Sequence, residues 1–165
     1  MLALVTGASK GIGRAIALEL AKNNFDVAIN FNRSEEPAKE LCSEIKALGR
    51  KAEIFKADVS DYDQVAELFK NIKESFGESV AVLVNNAGVT RDTLLMRMKP
   101  EDWQTVINTN LNAAFYCTRE AIRDMAKARF GRIINIASVV GLTGNAGQAN
   151  YAASKAGIIG FTKSV

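Results

Sequence analysis

Five short runs rich in aliphatic and β-branched residues, Leu2 to Thr6, Val27 to Phe31, Ala52 to Ala57, Val80 to Asn85 and Arg132 to Ser138, alternate with stretches of helical periodicity. The helical stretches are Gly13 to Asn24, Glu35 to Leu48, Asp61 to Phe76 and Glu101 to Ala128. A chain that alternates in this way has few architectures open to it. Parallel strands cannot be joined by tight turns, so each connection runs through a right-handed helical crossover. Near-continuous apolar character in several strands fits a sheet covered on both faces. The expectation is an α/β chain built on a doubly wound parallel sheet, as one domain over residues 1–165. Ser60 followed by Asp63 offers a capping-box-like start to the third helix. The chain stops inside what reads as a further helix, so it is expected to be truncated after the fifth strand and part of the helix that follows, leaving that strand's edge unpaired.

The chain contains no histidine, which removes His-based hydrolases, His-ligated metal sites and His general bases together. What chemistry remains must use Tyr, Lys, Asp, Glu or a cofactor. Cys42 and Cys117 stand far apart with no Cys-x-x-Cys, so no zinc site is expected. Lys plus Arg number 21 against 18 Asp plus Glu, with the signs interspersed, which offers no stripe for nucleic acid. No apolar run reaches membrane-spanning length, and a reduced, cytoplasmic protein is expected. Any anion it binds should be small.

Such an anion has an obvious seat in Thr6-Gly-Ala-Ser-Lys-Gly-Ile-Gly13, which follows a strand and opens a helix. Gly7 permits a tight turn, Gly11 lets the backbone approach a pyrophosphate, and Gly13 allows close helix contact with the sheet. A turn with a helix cap is the plainer alternative. With its flanks, the motif points to a Rossmann-like dinucleotide site, with Ser9, Lys10 and Ile12 also in contact with the cofactor. Where an NAD-binding unit carries an acid on the ribose, the second strand here ends Asn30-Phe-Asn-Arg33. Arg33, next to Asn32, and Lys10 can instead pair with a 2′-phosphate, so NADP(H) is expected over NAD(H), two solvated cations being the alternative. Asp58 can accept from an adenine amino group, with Val59 adding a backbone contact, or Asp58 caps the helix near Asp61. Asn85-Asn86-Ala87-Gly88 closes the fourth strand, where small residues suit a cofactor ribose or simply make a turn.

Tyr151 and Lys155 are four residues apart and would share one helical face. An ammonium close to a phenol in a low-dielectric pocket favours the phenolate, which makes the pair a candidate proton donor. An exposed tyrosine beside a solvated lysine is the alternative. In the long helix, Trp103, Ile107, Leu111, Ala114 and Phe115 form an apolar stripe with Asn110 at its border, and a buried amide needs partners.

Taken together, Thr6-Gly-x-x-x-Gly-x-Gly13, Asn85-Asn-Ala-Gly88, Ser138 and Tyr151-x-x-x-Lys155 resemble the short-chain dehydrogenase/reductase family, from Leu2 to the last residue. Within it, Gly88-Val-Thr-Arg-Asp-Thr-Leu-Leu-Met-Arg-Met98 and the run from Ser138 to Tyr151 are similar to bacterial ketoreductases of type II fatty-acid synthesis. The resemblance implies NADPH-dependent reduction of a 3-oxoacyl thioester, with Tyr151 giving a proton to the ketone oxygen. It implies that Lys155 acidifies the phenol and holds the nicotinamide ribose, that Ser138 hydrogen-bonds the developing alkoxide, and that Asn110 keeps a water in line with Lys155. Gln148 joins Ser138 and Tyr151 at the substrate. The implied partner is acyl carrier protein, docking on basic residues near the cleft, with Arg129, flanked by Lys127 and Arg132, as the candidate contact. Relatives form homotetramers through the long helix and the one bearing Ala152, Ala153, Ala156, Gly157 and Gly160. Family members continue through further strands and a substrate-covering helix that this sequence lacks. Reduction of another ketone, or a catalytically silent nucleotide-binding fragment, stands as the alternative.

Overall fold

The computed structural model describes residues 1–165. Five parallel strands, β1 (Leu2–Val5), β2 (Asp26–Phe31), β3 (Ala52–Lys56), β4 (Val80–Asn85) and β5 (Arg132–Asn135), form one sheet in the order β3-β2-β1-β4-β5. β1 lies at the centre, and all four of its residues are fully buried. Its register places Ala3 beside Val27 on one side and Val82 on the other, and Val5 between Ile29 and Val84.

Helices cover both faces, as the unbroken apolar strands require. Alternation of side chains along each strand divides the core in two. Ala3, Val5, Ile29 and Val84 pack with Ala17 and Ala21 of α1 (Gly11–Lys22) and with Leu41 and Ile45 of α2 (Glu35–Ala47). Leu2, Leu4, Ala28 and Leu83 meet Val65, Leu68 and Ile72 of α3 (Tyr62–Phe76) on the opposite face. The long helical stretch resolves into α4 (Pro100–Ile107), a π-helical turn (Asn108–Asn112) and α5 (Ala113–Ala128), and α5 completes that second layer.

The sheet-facing side of this stretch is not the expected one. Val106, Asn110, Ala113, Ala114, Cys117, Ala121 and Met125 are buried, whereas Trp103 and Phe115 of the expected stripe are 39% and 45% exposed. Small residues face inward because α5 lies close upon the sheet, and the bulkier apolar residues are turned outward. Cys117 is wholly enclosed, and burial, with the Glu120 carboxylate adding to it, pushes its thiol up to about 12.

Several boundaries differ from the sequence reading for local reasons. The N-cap of α3 is Asp61, not Ser60, and its carboxylate accepts from the amides of Asp63 and Gln64 at 2.9 and 3.2 Å. Asp58, the other candidate cap, is engaged elsewhere, accepting from the amide and hydroxyl of Ser60. β5 stops at Asn135 rather than Ser138, because its only neighbour, β4, ends at Asn85, whose carbonyl takes the Ile136 amide as the last rung. A short α6 (Val140–Thr143) and a 3-10 turn at Leu95–Arg97 were not expected. The last helix, α7, spans Ala149–Ser164. No helix is long and apolar enough to cross a membrane.

Small residues do two jobs on α7. A Cβ on Gly157 would meet the Leu111 side chain at 2.7 Å, so that glycine serves close packing within the chain. Ala156 and Gly160 are exposed, and nothing lies within 4 Å of a Cβ added at Gly160.

Candidate active site

The carboxyl ends of the strands carry a row of buried polar residues that lace the glycine loop in place. Thr6 Oγ1 accepts from the amides of Asn86 and Ala87, both at 3.0 Å, and donates to Val84 O at 3.3 Å. Asn86 Nδ2 donates to the carbonyls of Thr6 and Gly7 at 2.9 and 3.1 Å. From the other side, Asn30 Oδ1 accepts from the Gly7 amide at 3.2 Å, while its Nδ2 donates to the carbonyls of Phe55 and Ala57. A loop held by three strands is rigid before any ligand arrives, which lowers the ordering cost of binding. Sequence reasoning had not singled out Thr6 or Asn30 for this work. Their signal was a polar residue at or next to the end of an otherwise apolar strand.

The glycines fit this frame. Gly11 has φ +55° and open space where a side chain would project, which leaves its backbone free to face a phosphate. A Cβ on Gly13 would collide with Asn86 Nδ2 and fall 2.7 Å from Gly7 O, so its close contact is with the laced loop end.

Above the loop lies a cleft of about 650 Å³, a size ordinary for a small-molecule site. Among the residues lining it are Gly7, Ser9, Lys10, Gly11, Ile12 and Gly13 at the loop, Asn32 and Arg33 after β2, Asp58 and Val59 after β3, and Asn86, Ala87 and Gly88 after β4. Every residue expected to contact the cofactor from these four segments thus lines one cavity. Lys10 and Arg33 are exposed there, and neither has a carboxylate within salt-bridge reach. Burial works to raise the Asp58 carboxyl, but hydrogen bonds from the Ser60 hydroxyl and amide and from Asn32 hold it below the usual carboxylate range. It therefore stays an acceptor. Arg91, Thr105, Asn108 and Thr109 also line the cleft and were not anticipated.

Ser138, Tyr151 and Lys155 lie outside that lining. Lys155 is 4% exposed and is the only charged side chain buried in the protein. No carboxylate pairs with it. Its ammonium donates to the carbonyl of Ile136 at 2.6 Å and stands 5.6 Å from the centroid of the Tyr151 ring. Burial pulls the Lys155 ammonium below its usual range. Ile136 lies two residues before Ser138, so this bond ties the Ser138 segment to α7. A Cβ on Gly141 would sit 2.7 Å from the Ala156 amide, which brings α6 equally close. Ser138 Oγ accepts from the Val140 amide at 3.2 Å and keeps its own proton to donate.

Asn110 is 2% exposed, and its amide is committed to protein partners. Oδ1 accepts from the Val89 amide at 2.8 Å, and Nδ2 donates to Val89 O and Ser154 Oγ at 3.0 and 3.1 Å. Any water held at this residue must use the second lone pair of Oδ1 or a main-chain group. Gln148 donates to Asp92 at 2.9 Å and accepts from Asn145, so its side chain bridges two loops.

The expected position of Arg129 near the cleft requires a correction. Arg129 follows α5 in left-handed conformation, φ +50°, and lines a groove with Ile122, Phe130, Thr162 and Val165. That groove adjoins the far end of α7, about 20 Å along the helix from Tyr151. Arg129 is therefore not beside its own chain's cleft, because a helix that feeds a parallel strand ends at that strand's amino end.

An isolated buried ammonium opposes folding unless something pairs with it. Folding lowers the Lys155 pKa, so at neutral pH the unfolded chain holds that proton more readily than the folded one. Lys155→Met is accordingly expected to raise the midpoint of urea denaturation at pH 7. The difference should shrink as pH climbs through the lowered folded pKa towards 10.5, the unperturbed value. An equal or lower midpoint at neutral pH would count against an unpaired ammonium.

The sequence matches the short chain dehydrogenase family across residues 1–165. It is 54% identical over 162 residues to the 3-oxoacyl-[acyl-carrier-protein] reductase FabG of Staphylococcus aureus, covering 98% of this chain and 65% of that protein. It is 52% identical over 161 residues to the protein of that name from Staphylococcus epidermidis, covering 98% of this chain and 66% of the relative. To the 3-oxoacyl-[acyl-carrier-protein] reductase of Synechocystis it is 52% identical over 164 residues, covering 99% and 66%. The chain thus spans about two thirds of the length of these curated relatives. With the glycine loop, the Asn85 to Gly88 turn and the Tyr151–Lys155 pair at the carboxyl end of the sheet and a family match over its whole length, this chain belongs to the short chain dehydrogenase family.

Proposed function

We propose that the protein reduces a 3-oxoacyl group carried on acyl carrier protein, using NADPH, as part of type II fatty-acid synthesis. The observation that carries this reading is the lone buried ammonium of Lys155, set over the Tyr151 ring with two of its three donors uncommitted to the protein. Such a charge is costly to bury and is spent where chemistry needs it. The names of the relatives supply the substrate class.

The residues fit a phosphorylated dinucleotide. Gly11 offers backbone to the pyrophosphate, Asp58 an acceptor to the adenine amino group, and Lys10 and Arg33 two unpaired cations to a 2′-phosphate. Lys155 would hold ribose hydroxyls with its remaining donors. When bound, a reduced nicotinamide supplies hydride to the carbonyl carbon of the substrate. Tyr151 donates its phenolic proton to the ketone oxygen, and Ser138 gives a hydrogen bond to the same oxygen as charge builds on it. The ammonium of Lys155 stabilises the phenolate left behind.

Acyl carrier protein is the proposed partner, with Arg129 anchoring the body of the carrier while its thioester reaches towards Tyr151. Lys127, Arg129 and Arg132 have no carboxylate partners, which suits an acidic surface. Homotetramerisation through α4, α5 and α7 is supported by the exposed Trp103, Phe115 and Ile122 and by the open faces of Ala156 and Gly160. The reading places this chemistry in the cytoplasm. A second reading, a nucleotide binder without turnover, is favoured by one observation: the cleft takes in the nucleotide segments but neither Ser138 nor the Tyr151–Lys155 pair.

Fluorescence titration with NADPH, run beside turnover of an acetoacetyl thioester, separates these readings. The expected result is binding with turnover that falls about a hundredfold or more in Tyr151→Phe. Binding alone supports the silent binder, and neither activity removes both. Arg33→Ala should weaken NADPH about tenfold or more and leave NADH little changed, as loss of one charge-assisted bond to a phosphate predicts. Comparable losses for the two cofactors would defeat the assignment of the 2′-phosphate. Arg129→Glu should raise KM for a carrier-bound substrate and spare a small thioester, whereas equal effects on both would end the docking proposal.

A further inference from the structure

Resting on the reductase reading above, we propose that Asn150 and Ser154 are positioning residues that clamp the main chain of Tyr151 from both sides and tie it to the segment following β4. The Tyr151 amide donates to Asn150 Oδ1 at 2.8 Å, and its carbonyl accepts from Ser154 Oγ at 2.8 Å. Each clamp is itself anchored. Asn150 Nδ2 donates to Arg91 O at 3.0 Å, and Ser154 Oγ accepts from Asn110 Nδ2 at 3.1 Å, whose other contacts are both to Val89.

Asn150 and Ser154 are fully buried, and Asn110 nearly so. Helix formation alone does not call for this arrangement. The first amides of any helix lack partners within it, and the usual remedy is a side chain at the N-cap. Here the N-cap residue is Gln148, whose side chain makes no capping bond because it is held by Asp92 and Asn145. Asn150 performs the task from inside the first turn and so fixes the residue beside it. A second tether, the Thr93 amide on Gly147 O at 2.8 Å, holds the same two segments together.

Fixing both peptide groups of Tyr151 fixes the direction in which its side chain leaves the helix. A proton donor displaced by about 1 Å from its acceptor can lose about a hundredfold in rate. A network in which every buried polar group is satisfied resists such drift, whereas apolar residues of similar size would pack there without holding a direction.

The test is steady-state kinetics with NADPH and an acetoacetyl thioester. Ser154→Ala and Asn150→Ala should each lower kcat by about ten- to a hundredfold while KM and the NADPH dissociation constant stay within about twofold. In a Tyr151→Phe background, Ser154→Ala should cost no further rate, because groups that act as a unit are not additive. The proposal is overturned if the losses add in the double variant, or if kcat falls only in step with NADPH affinity and the thermal midpoint, which is what a merely structural bond would give. A parent protein without turnover removes the reductase reading and this inference with it. An active parent with unchanged variants removes this inference alone.

Discussion

The packing of β1 between β2 and β4 is the constraint from which the rest of the structure follows. With its four residues fully enclosed, the strand cannot slip by one residue without sending Ala3 and Val5 into the layer that Leu2 and Leu4 occupy. That register delivers Thr6 to the turn after β4 and Gly7 to the side chain of Asn30. The glycine loop is shaped by its neighbours in the sheet as much as by its own composition. Three strands each carry a buried polar side chain at or next to their carboxyl end, Thr6, Asn30 and Asn85, and these close off the apolar layers while presenting a polar rim. Asn85 extends the rim by donating to Thr118 and Asn135, which joins β4 to α5 and β5.

Burial accounts for the chemistry of the neighbouring group in a related way. A lysine on a solvated helix face would keep its ordinary proton affinity and its mobility. Lys155 has neither, because α6 approaches α7 closely at Gly141 and the chain leaving β5 offers the Ile136 carbonyl as its anchor. β5 therefore contributes to the site through the residues that follow it. Polar links from Val89 and Arg91 reach the same helix from the β4 side. Two loops from adjacent strands thus converge on one helical turn.

Much of this was legible in the sequence. Alternating strand and helix patterns, a glycine motif between them and Tyr151 four residues before Lys155 lead to the doubly wound sheet and to the residues that line its cleft. What escaped the reading has physical reasons. Asp61 won the cap over Ser60 because its carboxylate reaches two amides, a geometric contest that spacing does not decide. The buried face of the α4–α5 stretch was misassigned because hydropathy favours Trp103 and Phe115, while close approach to a sheet favours Ala113, Cys117 and Ala121. Arg129 was placed by charge pattern alone, which carries no information about which end of the sheet a helix reaches. Ser154 and Asn150 read as ordinary small polar residues, since their importance comes from long-range partners at Asn110 and Arg91.

Cys117 gives the second core layer an internal clock. A thiol pushed up to about 12 is almost wholly protonated at neutral pH, and, sealed beneath α5, it meets neither alkylating reagents nor oxidants in the closed protein. Its modification must wait for α5 to lift from the sheet and for the sulfur to regain its normal acidity in water. When reclosing outpaces the reagent, the alkylation rate measures how often that layer opens.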